Sequence, residues 1–394
     1  MPTRAFRLPE ALGRRLRHRE AREQLTGYLF TAPAVAVIAL FGLFPLGYAF
    51  YMSFYAWRVR QGPFRGLRNY GKALGEPEGI LIFAAAIALL VLAAWVWRWA
   101  CRAVAGRRLP GLLAAAALLV TAVAAAAAGW GRMLETGDVK FLNALPVTVY
   151  YALGSIPLQL AIALALACVL FQNLRGSAFF RMVFFLPYVM PTVATATVFR
   201  SIFSSRDTSM ANQFLALFGL EPQQWLAESR PVLDILFGWQ LGGAEQGLPA
   251  LGGPSLALVS IILFGVWTFV GYNVVIFLAG LGSISGELYE AAELDGANRW
   301  DVFRHITFPL LSPVTFYLAL IDFIGALKAF NHIFVMRSPL AQGTVNTASM
   351  VIFDTFYLAN QYGYAAAQVV LLFLMILGVT YAQNRVFGRS VIYD

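Results

Sequence analysis

Eight stretches of this chain are long and apolar enough to cross a lipid bilayer: 28–56, 80–100, 111–130, 143–171, 182–203, 257–282, 312–336 and 365–385. Crossing takes about 20 apolar residues, because a helix rises about 1.5 Å per residue and the hydrocarbon core is about 30 Å thick. No water reaches the backbone there, so only helices and closed barrels can span it. Continuous apolar runs of this length are not the short alternating strands of a barrel. The expected fold is therefore an all-α, polytopic membrane protein with about eight transmembrane helices. Composition agrees: 59% of the 394 residues are hydrophobic and 12% charged, with a mean hydropathy of +0.68.

A formal charge of +9 would suggest a nucleic-acid partner only if topology were ignored. Seven arginines (Arg4, Arg7, Arg14, Arg15, Arg17, Arg19 and Arg22) precede the first apolar run, a pattern that holds an N-terminus in the cytoplasm. That run is too long for a cleaved signal peptide and is expected to be a retained helix. An even number of spans returns the C-terminus to the same side. The cytoplasmic pieces are then 1–27, 98–110, 172–181, 283–311 and the tail, with 17 of the 29 basic residues. Arg98, Arg102, Arg107 and Arg108 crowd one short connection, while Arg58, Arg60, Arg65, Arg68 and Lys72 run against the trend in an external loop. Histidines at 18, 305 and 332 and cysteines at 101 and 168 have no metal-ligand spacing.

One polar island interrupts the late apolar runs. It reads Glu290-Ala291-Ala292, three residues, Gly296, nine residues, then Ile306-Thr307-Phe308-Pro309. This spacing resembles the cytoplasmic "EAA" loop of the membrane subunits of ATP-binding-cassette importers, with Phe308 standing where the family has leucine. Residues 288–294 can form a short helix with small Ala291 and Ala292 on one side, open to close approach. Gly296 supplies a turn, and Asn298 can cap a second helix holding Trp300, Asp301 and Arg304. The resemblance implies that Glu290, Ala291, Ala292, Asp295, Gly296, Ile306 and Pro309 couple the chain to a separate ATPase. An ordinary interfacial loop is the plain alternative.

The resemblance covers Leu25 to about Asn69 and resumes at Asn143. The helices between are rich in alanine, with the run Ala124–Ala128, and nearly free of polar residues. They read as an inserted hairpin facing lipid, the alternative being that they line the pathway. The chain thus divides into a basic cytoplasmic N-terminus (1–27), a first helix and external loop (28–79), the hairpin (80–130) and a six-helix importer core (143–388). That core contains an external loop at 204–256 and the coupling loop at 283–311. Within the external loop, 210–220 has helical apolar spacing, Pro222 stops it, and Trp225-Leu226 follow much as in sugar-importer subunits.

Gly66-Leu67-Arg68-Asn69-Tyr70-Gly71-Lys72-Ala73 imitates a phosphate-binding loop, but Ala73 lacks the hydroxyl that would ligate magnesium and no strand precedes it. The chain is therefore expected to bind no cofactor, leaving ATP and magnesium to the partner. Polar residues inside spans are costly unless they face protein or water. Those singled out for a substrate pathway are Thr195, Trp267, Tyr272, Asn273, Asp322 and Asn331. Trp267, Tyr272 and Asp322 fall where maltose-type subunits place sugar contacts, whereas Gly265, Phe269, Gly325 and Ala326 depart from that pattern. Helix–helix hydrogen bonding and an Asp322–Lys328 ion pair compete with this reading. Because Trp267 and Tyr272 are five apart, both can face one ligand only if the helix is distorted, and Gly265 and Gly271 would permit that.

The resemblance implies a carbohydrate-type importer permease, not an enzyme. Its partners would be a second permease, two ATPase subunits, an external solute-binding protein and a sugar, in the inner membrane with both termini cytoplasmic. The rival is an ion-coupled secondary transporter using Asp322 or Lys328. A membrane enzyme would need clustered acidic or metal-binding residues, and the sequence has none.

Overall fold

The computed structural model describes residues 10–102, 105–172, 175–238, 253–341 and 343–388, and among them regular structure is helical apart from two isolated β-bridges. Residues 1–9 of the basic N-terminus and 239–252 of the expected external loop lie outside them.

Six helices are long and apolar enough to cross a membrane, and two bent pairs bring the number to eight. The first span, α1, is Gln24–Ser53. A short helix α2 (Arg68–Leu74) follows, then α3 (Pro77–Arg102), α4 (Ala105–Thr136) and α5 (Val139–Phe171). The false phosphate loop is therefore mostly α2, with Ala73 buried against the protein. Asp138 starts α5 by accepting hydrogen bonds from the Lys140 and Phe141 amides.

The fifth expected span is not one helix. Ser177–Val189 (α6) and Thr192–Ile202 (α7) meet at 94°. Pro191 explains the break, since the preceding Met190 is held extended (ψ 146°) and Pro191 cannot donate to the previous turn. Two short helices, α8 (Met210–Ala216) and α9 (Val232–Phe237), lead to α10 (Leu256–Ser283), the central span. After it come α11 (Gly286–Leu294), then α12 (Arg299–Leu310) bent by 60° against α13 (Ser312–Leu327). The seventh expected span also breaks at its far end: it stops at Leu327 and resumes as α14 (Asn331–Met336). Helix α15 (Ala348–Phe353) and the last span α16 (Tyr362–Phe387) complete the chain.

The core lies around α10, whose Leu258, Ile261, Phe264 and Phe277 are buried with Tyr151 and Ile156 of α5 and Ile333 and Met336 of α14. By contrast, α3 and α4 pack chiefly on each other. Gly79, Ala86, Ala93 and Ala100 recur every seven residues on α3, facing Ala115, Ala122 and Gly129 at the same interval on α4. Small residues at that repeat let two helix backbones approach closely. The outer faces, including Leu81, Val91, Trp95 and Val120, are exposed to the surroundings. At the root of this hairpin, entry and exit meet: a Cβ on Gly137 would lie 2.8 Å from the Gly75 amide nitrogen.

Candidate functional site

The polar island forms a compact helical turn. Ser285 caps α11 through the Glu287 amide, and the Asn298 side chain accepts from the Trp300 and Asp301 amides to start α12. Gly296 has φ +76°, a left-handed conformation that glycine adopts without steric cost. There the Gly296 and Ala297 amides bond back to the Glu293 and Ala292 carbonyls and close the C-terminus of α11. Tyr289 Oη and Thr307 Oγ1, 3.3 Å apart, tie the turn to the next helix. Glu290, Ala291, Asp295 and Gly296 are exposed, and Ile306 and Pro309 are half-buried. The two alanines do not share an open side: Ala291 faces out and Ala292 is buried, because adjacent residues point about 100° apart on a helix. Leu294 (90% exposed) and Trp300 (64%) project an apolar surface beside the acidic one.

Inside the bilayer, three helices meet at Asp322 of α13. Gln159 of α5 and Asn273 of α10 each donate an amide hydrogen bond of 2.8 Å to the same oxygen, Oδ2. No ion pair among the described residues involves Asp322, so the suggested partnership with the exposed Lys328 is replaced by two amides. Asn273 is fully buried and its Oδ1 has no hydrogen-bond partner. Tyr272 stacks on Tyr188 of α6 at 4.9 Å and lies beside Tyr317 of α13. Tyrosine faces, amides and one carboxylate therefore converge here.

Trp267 belongs to a second group. It packs on Phe199 of α7 at 4.8 Å and on Phe264, which lies against His332; His332 in turn pairs with Tyr151 Oη at 2.7 Å. The bent pair thus serves both aromatic groups, α6 meeting Tyr272 and α7 meeting Trp267. Distortion of α10 is unnecessary: the helix is continuous through Gly265 and Gly271. Those glycines instead permit close crossings. A Cβ on Gly265 would lie 2.6 Å from Tyr151 Oη, and one on Gly271 would collide with the Phe184 carbonyl oxygen. Thr195 and Asn331 stand apart from the cluster. The Thr195 hydroxyl bonds to its own helix at the Pro191 and Thr192 carbonyls, and Asn331 is exposed at the start of α14.

This geometry has known relatives. Residues 159–393 match the family of binding-protein-dependent transport system inner membrane components. The chain belongs to this family. It is 28% identical over 362 residues to the arabinooligosaccharides transport system permease protein AraP of Bacillus subtilis (strain 168), covering 92% of this chain and 88% of that one. It is 24% identical over 377 residues to the trehalose/maltose transport system permease protein MalF of Thermococcus litoralis, covering 95% and 96%. A solved bacterial alginate ABC transporter, in complex with an alginate pentasaccharide-bound periplasmic protein, shares the fold. Its TM-score is 0.52 at 20% identity, covering 62% of this chain and 77% of that one.

The importer permease is a multi-pass inner-membrane transport subunit, not an enzyme, and nothing supports the ion-coupled alternative. Sequence reasoning about this permease overlooked Gln159, Tyr188 and Tyr317. Gln159 was detectable as a lone amide between leucines in an apolar span. The tyrosines were not, because a tyrosine near a span end reads equally well as an interfacial anchor. Also missed was Asn212, a buried knot in the loop between α7 and α10. It accepts from the Gln223 amide and Trp225 Nε1, and donates to the Arg206 and Gln223 carbonyls.

Proposed function

We propose that this permease forms half of a transmembrane pathway for a sugar or oligosaccharide. A second permease would supply the other half, two ATPase subunits the motive force, and an external binding protein the substrate. Both termini are cytoplasmic in this arrangement, and ATP and magnesium stay on the ATPase. The carrying observation is the proposed coupling turn: Glu290 and Ala291 are exposed on a helix, Gly296 is exposed in the turn that closes it, and both helix ends are fixed by hydrogen bonds. A rigid, exposed element can transmit a push or pull from a partner to α10 and α13. Relatives named for arabinooligosaccharide, trehalose/maltose and lactose transport support the substrate class. The stacked tyrosines beside Asp322 suit it too, since sugar rings offer C–H faces and hydroxyls.

Uptake should stop with vanadate and survive a protonophore in cells expressing the whole importer; the reverse pattern would refute the reading. Gly296→Asp localises the coupling. No atom lies within 4 Å of a Cβ there, and aspartate enters the left-handed region for about 1 kcal/mol. The variant should assemble, hydrolyse ATP without coupling and import nothing. Normal ATP-driven uptake would remove the turn from the mechanism.

A further inference from the structure

The closed end of the α3–α4 hairpin carries a cluster of arginines that the transport function does not use. Arg98 and Arg102 of α3 and Arg108 of α4 are all exposed. At about 100° per residue, Trp95, Arg98 and Arg102 lie on the side of α3 opposite the alanine seam, and Trp99 stands at the edge of that group, its ring reaching toward Gly111 of α4. Arg108 lies near the same level, since a Cβ on Gly111, one turn further along α4, would be 2.7 Å from the Ala100 Cβ. Both tryptophans are exposed and make the flanks of this cluster.

Nothing in the hairpin neutralises these guanidinium groups. The sequence has no aspartate or glutamate from 79 to 134. At the other end of the same hairpin Arg132 has a carboxylate partner, Glu78, but no ion pair among the described residues involves Arg98, Arg102 or Arg108. Helix order places the tip on the same membrane face as the coupling turn. Arginine forks match phosphate oxygens bidentately, and indole rings settle at headgroup depth.

We infer that the hairpin tip is a binding site for the headgroup of an anionic phospholipid. The outward face, the unpaired charges and the flanking indoles fit a lipid phosphate at the bilayer surface. A membrane-surface origin for the arginines explains their sign but not their placement beside Trp95 and Trp99. The hairpin then anchors the permease to a lipid annulus.

The test uses the assembled importer in detergent, titrated with phosphatidylglycerol or with phosphatidylcholine of the same acyl chains, and read by native mass spectrometry and thermal stability. Phosphatidylglycerol should be retained preferentially and should raise the melting temperature. The triple change Arg98→Gln, Arg102→Gln, Arg108→Gln should lower its retention by about a hundredfold, as expected for three charges each contributing about 1 kcal/mol at a membrane surface. Because removing charge can also disturb insertion, the triple Arg→Lys variant is the second measurement. It keeps the charge but loses the fork, and should retain about threefold less phosphatidylglycerol. A control triple, Arg58→Gln, Arg60→Gln, Arg65→Gln, should change nothing. Equal retention of both lipids, wild-type retention in the Gln triple, or loss of the lipid when partner subunits cover the tip would each overturn the proposal.

Discussion

Helix α10 and the α3–α4 hairpin are both strongly apolar, yet they end in opposite surroundings. In the apolar window of α10, 61% of residues are buried inside the protein; in that of α3 the share is 17%. Lipid tails are as apolar as leucine, so hydropathy selects what enters the bilayer and does not rank what lies inside the protein. The distinction comes from two other features. α10 carries glycines where other groups press against it, Tyr151 at Gly265 and the Phe184 backbone at Gly271, and an amide, Asn273, that reaches another helix. The small residues that the hairpin buries lie along its own seam, its other alanines are exposed or half-buried, and its mid-span Thr121 bonds to its own backbone. Burial in a membrane follows close-crossing points and polar reach.

The largest effect should come from closing one of those crossings. Gly271→Ala sets a Cβ against the Phe184 carbonyl, on a limb of the bent pair that cannot retreat without moving Tyr188. Overpacking of this kind costs about 3 kcal/mol. The expected result is loss of assembled protein in size-exclusion thermostability measurements. Gly131→Ala in the hairpin, where no atom lies within 4 Å, should be neutral or stabilising by about 0.5 kcal/mol. Similar behaviour of both variants would erase the distinction between the two regions.

Asp322 tests polar reach. Asp322→Asn keeps an acceptor for the Gln159 and Asn273 amides and removes only the charge, so the fold should hold. If the carboxylate faces substrate, uptake should fall by about tenfold, the loss of about 1.4 kcal/mol of binding. Asp322→Leu leaves two amides unpaired and should cost about 1–3 kcal/mol for each. Wild-type uptake in the Asn variant together with a lower melting temperature in the Leu variant would make Asp322 a helix tie and nothing more.

What the sequence revealed follows the same division. Eight spans were visible because hydrophobic length is a local property, and the polar turn around Glu290 was visible because its residues stand at fixed spacing along one segment. The 94° bend at Pro191 was signalled by a proline, but proline also occurs inside unbroken α5, at Pro146 and Pro157. Its consequence was therefore not decidable locally. The convergence of Gln159, Asn273 and Asp322 spans residues 163 apart in sequence, and no single-chain periodicity reports it. Likewise Gly265 and Gly271 looked like points of helix distortion, when their role is to admit atoms from α5 and α6.

A milder effect is expected from removing the hairpin, which we propose is accessory to the pathway. Its entry and exit already touch at Gly75 and Gly137, so deleting 77–136 with a short glycine linker closes a small gap. The cut must spare Asp138, which caps α5 and accepts a 2.6 Å hydrogen bond from Tyr364 of α16. The shortened importer should assemble and keep measurable uptake, with a lower melting temperature. Complete loss of uptake at normal membrane levels and normal ATPase association would move the hairpin into the pathway.

The smallest effect concerns the hairpin's own polar contact. Glu78 and Arg132 pair at its root with side chains 68% and 50% exposed. Exposed pairs of this kind contribute about 0–1 kcal/mol, because water and counterions screen the charges and two long side chains must be ordered. In a double-mutant cycle, Glu78→Gln with Arg132→Gln should give a coupling under about 0.5 kcal/mol, and less at high salt. The matching cycle of Asn273→Ala with Asp322→Ala should couple by about 1–3 kcal/mol and ignore salt, since both groups are shielded from solvent. If the exposed pair coupled as strongly as the buried one, polar reach would not separate the two regions. The buried network around Asp322 would then lose its claim to hold α5, α10 and α13 together.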